Sequence, residues 1–260
     1  IFNIDTTGTG TIATTGGNAA LDLDSINGDI TVIKTGTAGA VNADSSGSGD
    51  VVITADATTA AVTGISDTGN VTVNADASAN VTATATAGTA IVDAAAAASI
   101  SATGSSVNVT SANIAATGAA TTIAVTGTAG TADSAVVSAN GAVTLTNATN
   151  LEAISLSGNS VAATYTIANS EVFTVTGDQN VTISGTEAAI SASRVTDSTT
   201  GTLALNITNA GAGAGVDYSL LASDSISHAV AMAAGAYTYA DGANVTLAAD
   251  ALGGITVDID

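Results

Sequence analysis

The sequence predicts an all-β fold: a parallel β-helix, or β-solenoid, with coils of about 20 residues built from strand-turn units of about 10 residues. Three observations carry this prediction. A short strand recurs at nearly constant spacing, the apolar side chains are mostly small, and proline is absent.

The strands are runs in which β-branched residues recur, the composition that suits a pleated, half-buried surface. They include Asp29-Ile30-Thr31-Val32-Ile33, Asp50-Val51-Val52-Ile53-Thr54, Asn70-Val71-Thr72-Val73 and Thr89-Ala90-Ile91-Val92. Gly28, Gly49, Gly69 and Gly88 introduce them, at intervals of 21, 20 and 19 residues. Second strands lie between, around Val41, Val62, Val81 and Ile100. With Val32, Val52, Val71 and Ile91, these central apolar residues follow one another at steps of 9 to 11. One strand and one turn cannot bury an apolar face alone, so such units must stack. An antiparallel β-sandwich is the alternative, because it also spaces short strands evenly.

Composition favours the solenoid. Hydrophobic residues make up 46% of the chain, yet it holds only two Phe, four Tyr, one Met and no Trp. A core of Ala, Val and Ile is thin and laminar, unlike the thick interdigitated core of a sandwich. Proline breaks a ladder hydrogen bond and survives only at edges or bulges, so its absence fits a fold in which nearly every strand is central. Gly and Asn are expected at corners, where sharp turns favour positive φ.

The repeat divides into two segments. Residues 1–149 read as a regular small-residue solenoid, and residues 150–260 as a second solenoid segment with larger apolar side chains and all three Glu. An irregular insertion or cap is expected around 211–240, where Tyr218, Leu220, Leu221, His228, Met232, Tyr237 and Tyr239 interrupt the period.

Charge excludes several function classes. Lys34 and Arg194 are the only basic side chains against 22 acidic ones, giving a net charge of −20. Nucleic acid binding, which needs clustered Lys and Arg, is not expected, and neither is approach to an anionic membrane. No run of eighteen apolar residues occurs, so no membrane insertion is expected. With no Cys, disulfides and thiolate metal sites are absent, and the Thr, Ser, Asn and Gly content suits an exported protein. The chain starts at Ile1 without Met and reads as part of a longer protein.

Asp22, Asp24, Asn27 and Asp29 surround Gly28 with oxygen ligands in a spacing that suits Ca²⁺. The Asp241-Gly242 pair and the terminal Asp258-Ile259-Asp260 are weaker candidates. Asn-x-Thr sequons at Asn70, Asn80, Asn108, Asn147, Asn180, Asn206 and Asn244 fall on the strand period and read as turn-to-strand junctions before glycan acceptors. Thr82-Ala83-Thr84 has the spacing of an ice-binding threonine pair, but paired rows do not recur along the sequence. The single histidine, His228, sits near Ser227 and Asp224, which would not converge with it on a strand. The chain is therefore read as non-enzymatic.

The Val-Thr-Val and Asn-Val-Thr strands, the Ala-Thr-Gly linkers and the stretch from Asn150 to Gly158 resemble the β-solenoid region of bacterial surface-layer proteins exported by type I secretion, the Caulobacter-like group. The resemblance covers essentially the whole chain. It implies an extracellular, self-associating lattice at the cell surface held together by calcium, with cell-surface polysaccharide as a further partner. The sequence departs from the family in lacking a Gly-Gly-x-Gly-x-Asp repeat, which removes the basis for regular calcium binding inside the coil. The expected function is a structural unit of a surface layer or self-assembling coat; the alternative is an adhesin stalk presenting a loop near 211–240.

Overall fold

Alternation decides which side chains make the core. In Leu21–Ser25 and Val41–Ser45 the first, third and fifth residues are buried and the two between are half-buried, the period of a strand with one face on a core. The computed structural model describes residues 2–6, 12–55, 57–78, 80–94, 99–111, 121–128, 133–139, 142–149, 151–157, 162–167, 172–178, 180–209, 216–229, 232, 234–247 and 255–259.

Each strand pairs in parallel with the strand one coil later. Leu21 lies beside Val41, and the same column continues through Val62, Val81, Ile100 and Ile123. Parallel neighbours about 20 residues apart require the chain to travel once around between them, so the fold is a β-solenoid and the antiparallel sandwich is excluded.

The coil has two walls. The first runs from Phe2–Thr6 and Leu21–Ser25 through Val181–Gly185 and Leu203–Ile207 to Ser225–His228 and Asn244–Thr246. The second runs from Ile12–Gly16 and Ile30–Lys34 through Val51–Thr54 and Val71–Asn74 to Val172–Gly177 and Arg194–Thr199. Asn80–Asp93 and Ser99–Ser111 bend through a corner and belong to both walls, joining them into a single 21-stranded sheet. Between the walls lies one continuous core, from Leu21 and Ile30 to Tyr218, Tyr237 and Tyr239.

The two corners use different chemistry. At the first, the Gly28 and Gly69 N–H groups donate to Ser25 Oγ and Ser66 Oγ, both at 2.9 Å, and Ser66 Oγ donates to the Gly49 carbonyl of the coil below at 2.8 Å. These buried serines satisfy backbone groups that water cannot reach. The corner glycines are needed for close approach: a Cβ on Gly69 would lie 2.3 Å from the Gly49 carbonyl oxygen, and one on Gly88 would lie 2.2 Å from that of Gly69. Positive φ, the expected reason for corner glycine, occurs among the described glycines at Gly39, Gly177 and Gly242 instead. At the second corner, buried Ala55, Ala75 and Ala94 each follow a wall strand, and Lys34 takes the equivalent place in its own coil. The Lys34 ammonium donates to the carbonyls of Gly17 and Ala19, and burial lowers its pKa.

Pairing runs across residue 150 without a break: Ala135 lies beside Ile154, and Ile154 beside Phe173. Side-chain size is what changes there. Phe173 and Tyr165 meet edge-on, 5.0 Å between ring centroids. The described helix, Glu187–Ala192, replaces a corner; Thr186 caps it by accepting from the Ala189 N–H at 3.2 Å.

Candidate functional site

The second wall ends where its inward column changes character. Val137, Leu156 and Val175 stack in one buried column, and the next residue of that column is Asp197. A carboxylate cannot continue an apolar ladder unsolvated. Asp197 instead accepts the Thr199 N–H at 2.9 Å, and among the described residues the pairing continues only as a bridge between Val195 and Leu221. The next coils form a separate three-stranded parallel sheet of Val216–Tyr218, Gly235–Tyr239 and Ile255–Ile259.

A solvent-open cleft of about 450 Å³ occupies this junction, lined by Asp197, Leu220, Ser223, Asp224 and Asp241 among others. Leu220 is 61% exposed at its rim. Asp224 is engaged already: its Oδ2 accepts the Leu203 N–H at 2.7 Å and its carbonyl accepts the Asn244 N–H at 2.9 Å.

Tyr218 and Tyr239, which precede cleft-lining Ser219 and Ala240 in the chain, belong to a buried polar cluster. Tyr218 and Tyr239 stack with centroids 5.2 Å apart, and Tyr239 Oη lies 3.0 Å from His228 Nε2. Burial pushes His228 down to about 4. Burial first, then the Glu187 carboxylate, raises the pKa of Tyr218 and Tyr237, while Tyr239 is raised by burial, Tyr237 and Glu187. The three hydroxyls are therefore held in their neutral form. Glu187 is 3% exposed, and among the described residues neither its Oε2 nor the Tyr218 hydroxyl has a hydrogen-bond partner.

The sequence-derived residues are distributed differently. Asp22 and Asp24 project outward from the first wall, where Asp24 stacks in register between Asp5 and Asp44. Asn27 lies in the turn, and Asp29 lies beyond it, accepting the Asp50 N–H at 2.9 Å. Asp22 accepts from Asn42 Nδ2 at 2.9 Å. Among the described residues no group of three His, Cys, Asp or Glu side chains is placed to hold a metal ion. Burial first, then neighbouring aspartates, raises the pKa of Asp24 and Asp44. Ser227 is half-buried on the opposite face of its strand from buried His228, so the two do not meet.

The rungs joining successive coils were not read from the sequence. Asp29 is the first of a series in which Asp50 Oδ1 accepts the Asn70 N–H at 2.7 Å and Asn70 Oδ1 accepts the Thr89 N–H at 3.0 Å. Asn180 repeats the device toward Thr202 at 3.0 Å. Their signal is present as a polar residue after each corner glycine, at Asp29, Asp50, Asn70 and Thr89. Thus Asn70 and Asn180 of the sequons are coil-to-coil rungs. On the first wall, Thr82 and Thr84 stand beside Ser101 and Thr103 on one side and Thr63 and Ile65 on the other, so the threonine pairing is interrupted.

No family model, curated protein or solved structure matches the chain. The solenoid architecture is what is shown.

Proposed function

We propose that this chain is a structural, non-enzymatic unit of an extracellular surface layer or similar self-assembling coat. The observation that supports the reading best is the pair of long walls, where outward side chains align in columns coil after coil. Such walls offer a repeating surface to an equally repeating neighbour. Core and rungs give the unit stiffness, and the acidic column of Asp5, Asp24 and Asp44 keeps it soluble until a counter-charge is supplied. Calcium is the proposed counter-charge, and cell-surface polysaccharide the proposed anchor.

The test is sedimentation velocity over a range of concentrations, with calcium and with a chelator. Growth of large species with calcium supports the coat. A single monomeric species in every condition overturns it.

The acidic cleft favours a second reading. Asp197, Asp224 and Asp241 beside exposed Leu220 lie in or near the segment read as irregular, where an adhesin would present its binding surface. Glycan-array binding by a monomeric protein, lost in Leu220→Asp, is the outcome that would favour it.

A further inference from the structure

The second wall differs from the rest of the surface. Of the eight exposed large apolar side chains among the described residues, five stand on its outward positions: Ile33, Val52, Ile91, Val136 and Val172. Their exposures run from 39% to 47%. One register column passes through Val52, Thr72, Ile91, Asn108, Val136, Ser155 and Thr174. Val172 stands in the next column beside Ala153, and a shallow groove of about 130 Å³ runs between Val136, Ala153 and Val172.

Charge is missing from the later strands of this wall. Residues 106–111, 134–139, 153–157 and 172–177 contain no ionisable side chain in a chain of net charge −20. The first wall, by contrast, turns Asp22, Asp24 and Asp44 outward, followed by Thr63, Thr82, Thr84, Ser101 and Thr103.

We propose that the second wall packs against the same wall of a second copy of this chain across a two-fold axis. The inference rests on the self-associating reading above and names its contact. Two copies of a strongly acidic chain repel through most orientations, and this wall, whose exposed strand residues among those described carry charge only at Asp93 and Arg194, one of each sign, is where they approach at least Coulombic cost. A regular sheet face is also self-complementary, as an isologous contact requires.

The area is sufficient. Eight successive pairings separate Ile30–Lys34 from Arg194–Thr199. At about 4.8 Å a pairing and about 17 Å for a five-residue strand, the wall covers roughly 650 Å² per copy. The pair would bury roughly 1,300 Å², within the range of specific interfaces. Across this face exposed Val52, Ile91 and Val136 alternate with the uncharged residues Thr72, Asn108 and Ser155.

Single substitutions Val136→Asp and Val172→Asp test the contact, with Thr82→Asp and Ser101→Asp as equal charge changes on the first wall. All four positions are exposed or half-buried, and circular dichroism melting checks that each variant folds. Each second-wall aspartate enters the contact twice and is expected to weaken dimerisation at least 100-fold, while the first-wall variants change it less than about 3-fold. Equal effects from both walls, in a wild type that associates, overturn this contact and leave the coat reading standing. A wild type that stays monomeric overturns both. Because the chain has no cysteine, Val136→Cys supplies a readout independent of affinity. Short-reach bismaleimide cross-linking should trap a dimer with Val136→Cys and not with Ser101→Cys; the reverse contradicts the proposal.

Discussion

The early coils, residues 21–94, and the later coils, from Leu151 to Thr246, share one parallel register and hold it by different chemistry. The early coils pack Leu, Ile, Val and Ala, satisfy a corner with Ser25, Ser45 and Ser66, and place their carboxylates outside. The later coils pack Phe173, Tyr165, Tyr218 and Tyr239, replace a corner with a helix, and bury Glu187 and His228. The comparison teaches that the backbone repeat sets where side chains go, while side-chain volume and charge set how each coil responds to stress. It also separates two responses to acid. Asp24 and Asp44 have raised pKa values, so the folded early coils bind protons more readily than the unfolded chain does. Their stability grows as pH falls toward the carboxylate range and is lost as it rises. His228 has a lowered pKa, so the later coils lose stability as pH falls from its ordinary 6.5 to about 4.

The largest expected difference is in packing. Phe173→Ala should cost about 3–5 kcal/mol by urea denaturation and Val73→Ala about half as much, because the cavity left is smaller. Equal costs would show that the aromatic core is not what holds the later coils. Next is acid: moving from pH 7 to 4 should destabilise the later coils by up to roughly 3 kcal/mol through His228, at about 1.4 kcal/mol per pKa unit. Hydrogen exchange should therefore speed up over 203–246 and not over 21–54, and His228→Phe should remove the effect. Gly69→Ala should cost about 1–3 kcal/mol by overpacking against the Gly49 carbonyl. Its faster exchange should centre on the early coils. The smallest effect is Asp44→Asn, a gain under about 1 kcal/mol at pH 7 after solvent screening, read as a slightly higher Tm that vanishes near pH 4.

The period was legible in the sequence because inward residues must repeat when coils stack. The readings around Val32, Val71 and Val81 fall on strands with the expected inward residues. Phase was harder where apolar residues are consecutive. Val52 and Ile91 mark the period but face solvent, since Val51 and Ile53, or Ala90 and Val92, fill the inward positions. A run such as Val51-Val52-Ile53 has no alternation from which to read a face, and its outward member stands exposed on the second wall. The cleft and buried cluster were less legible still. Glu187, Tyr218, His228 and Tyr239 come together only through the three-dimensional path of the chain, and Asp197 is inward only because register aligns it with Val175.

Imaging purified protein by negative-stain electron microscopy, at neutral pH with calcium, tests the structural-unit account most directly. The account predicts ordered sheets or fibres with a repeat set by paired solenoids. Isolated, unpaired rods at every concentration would contradict it.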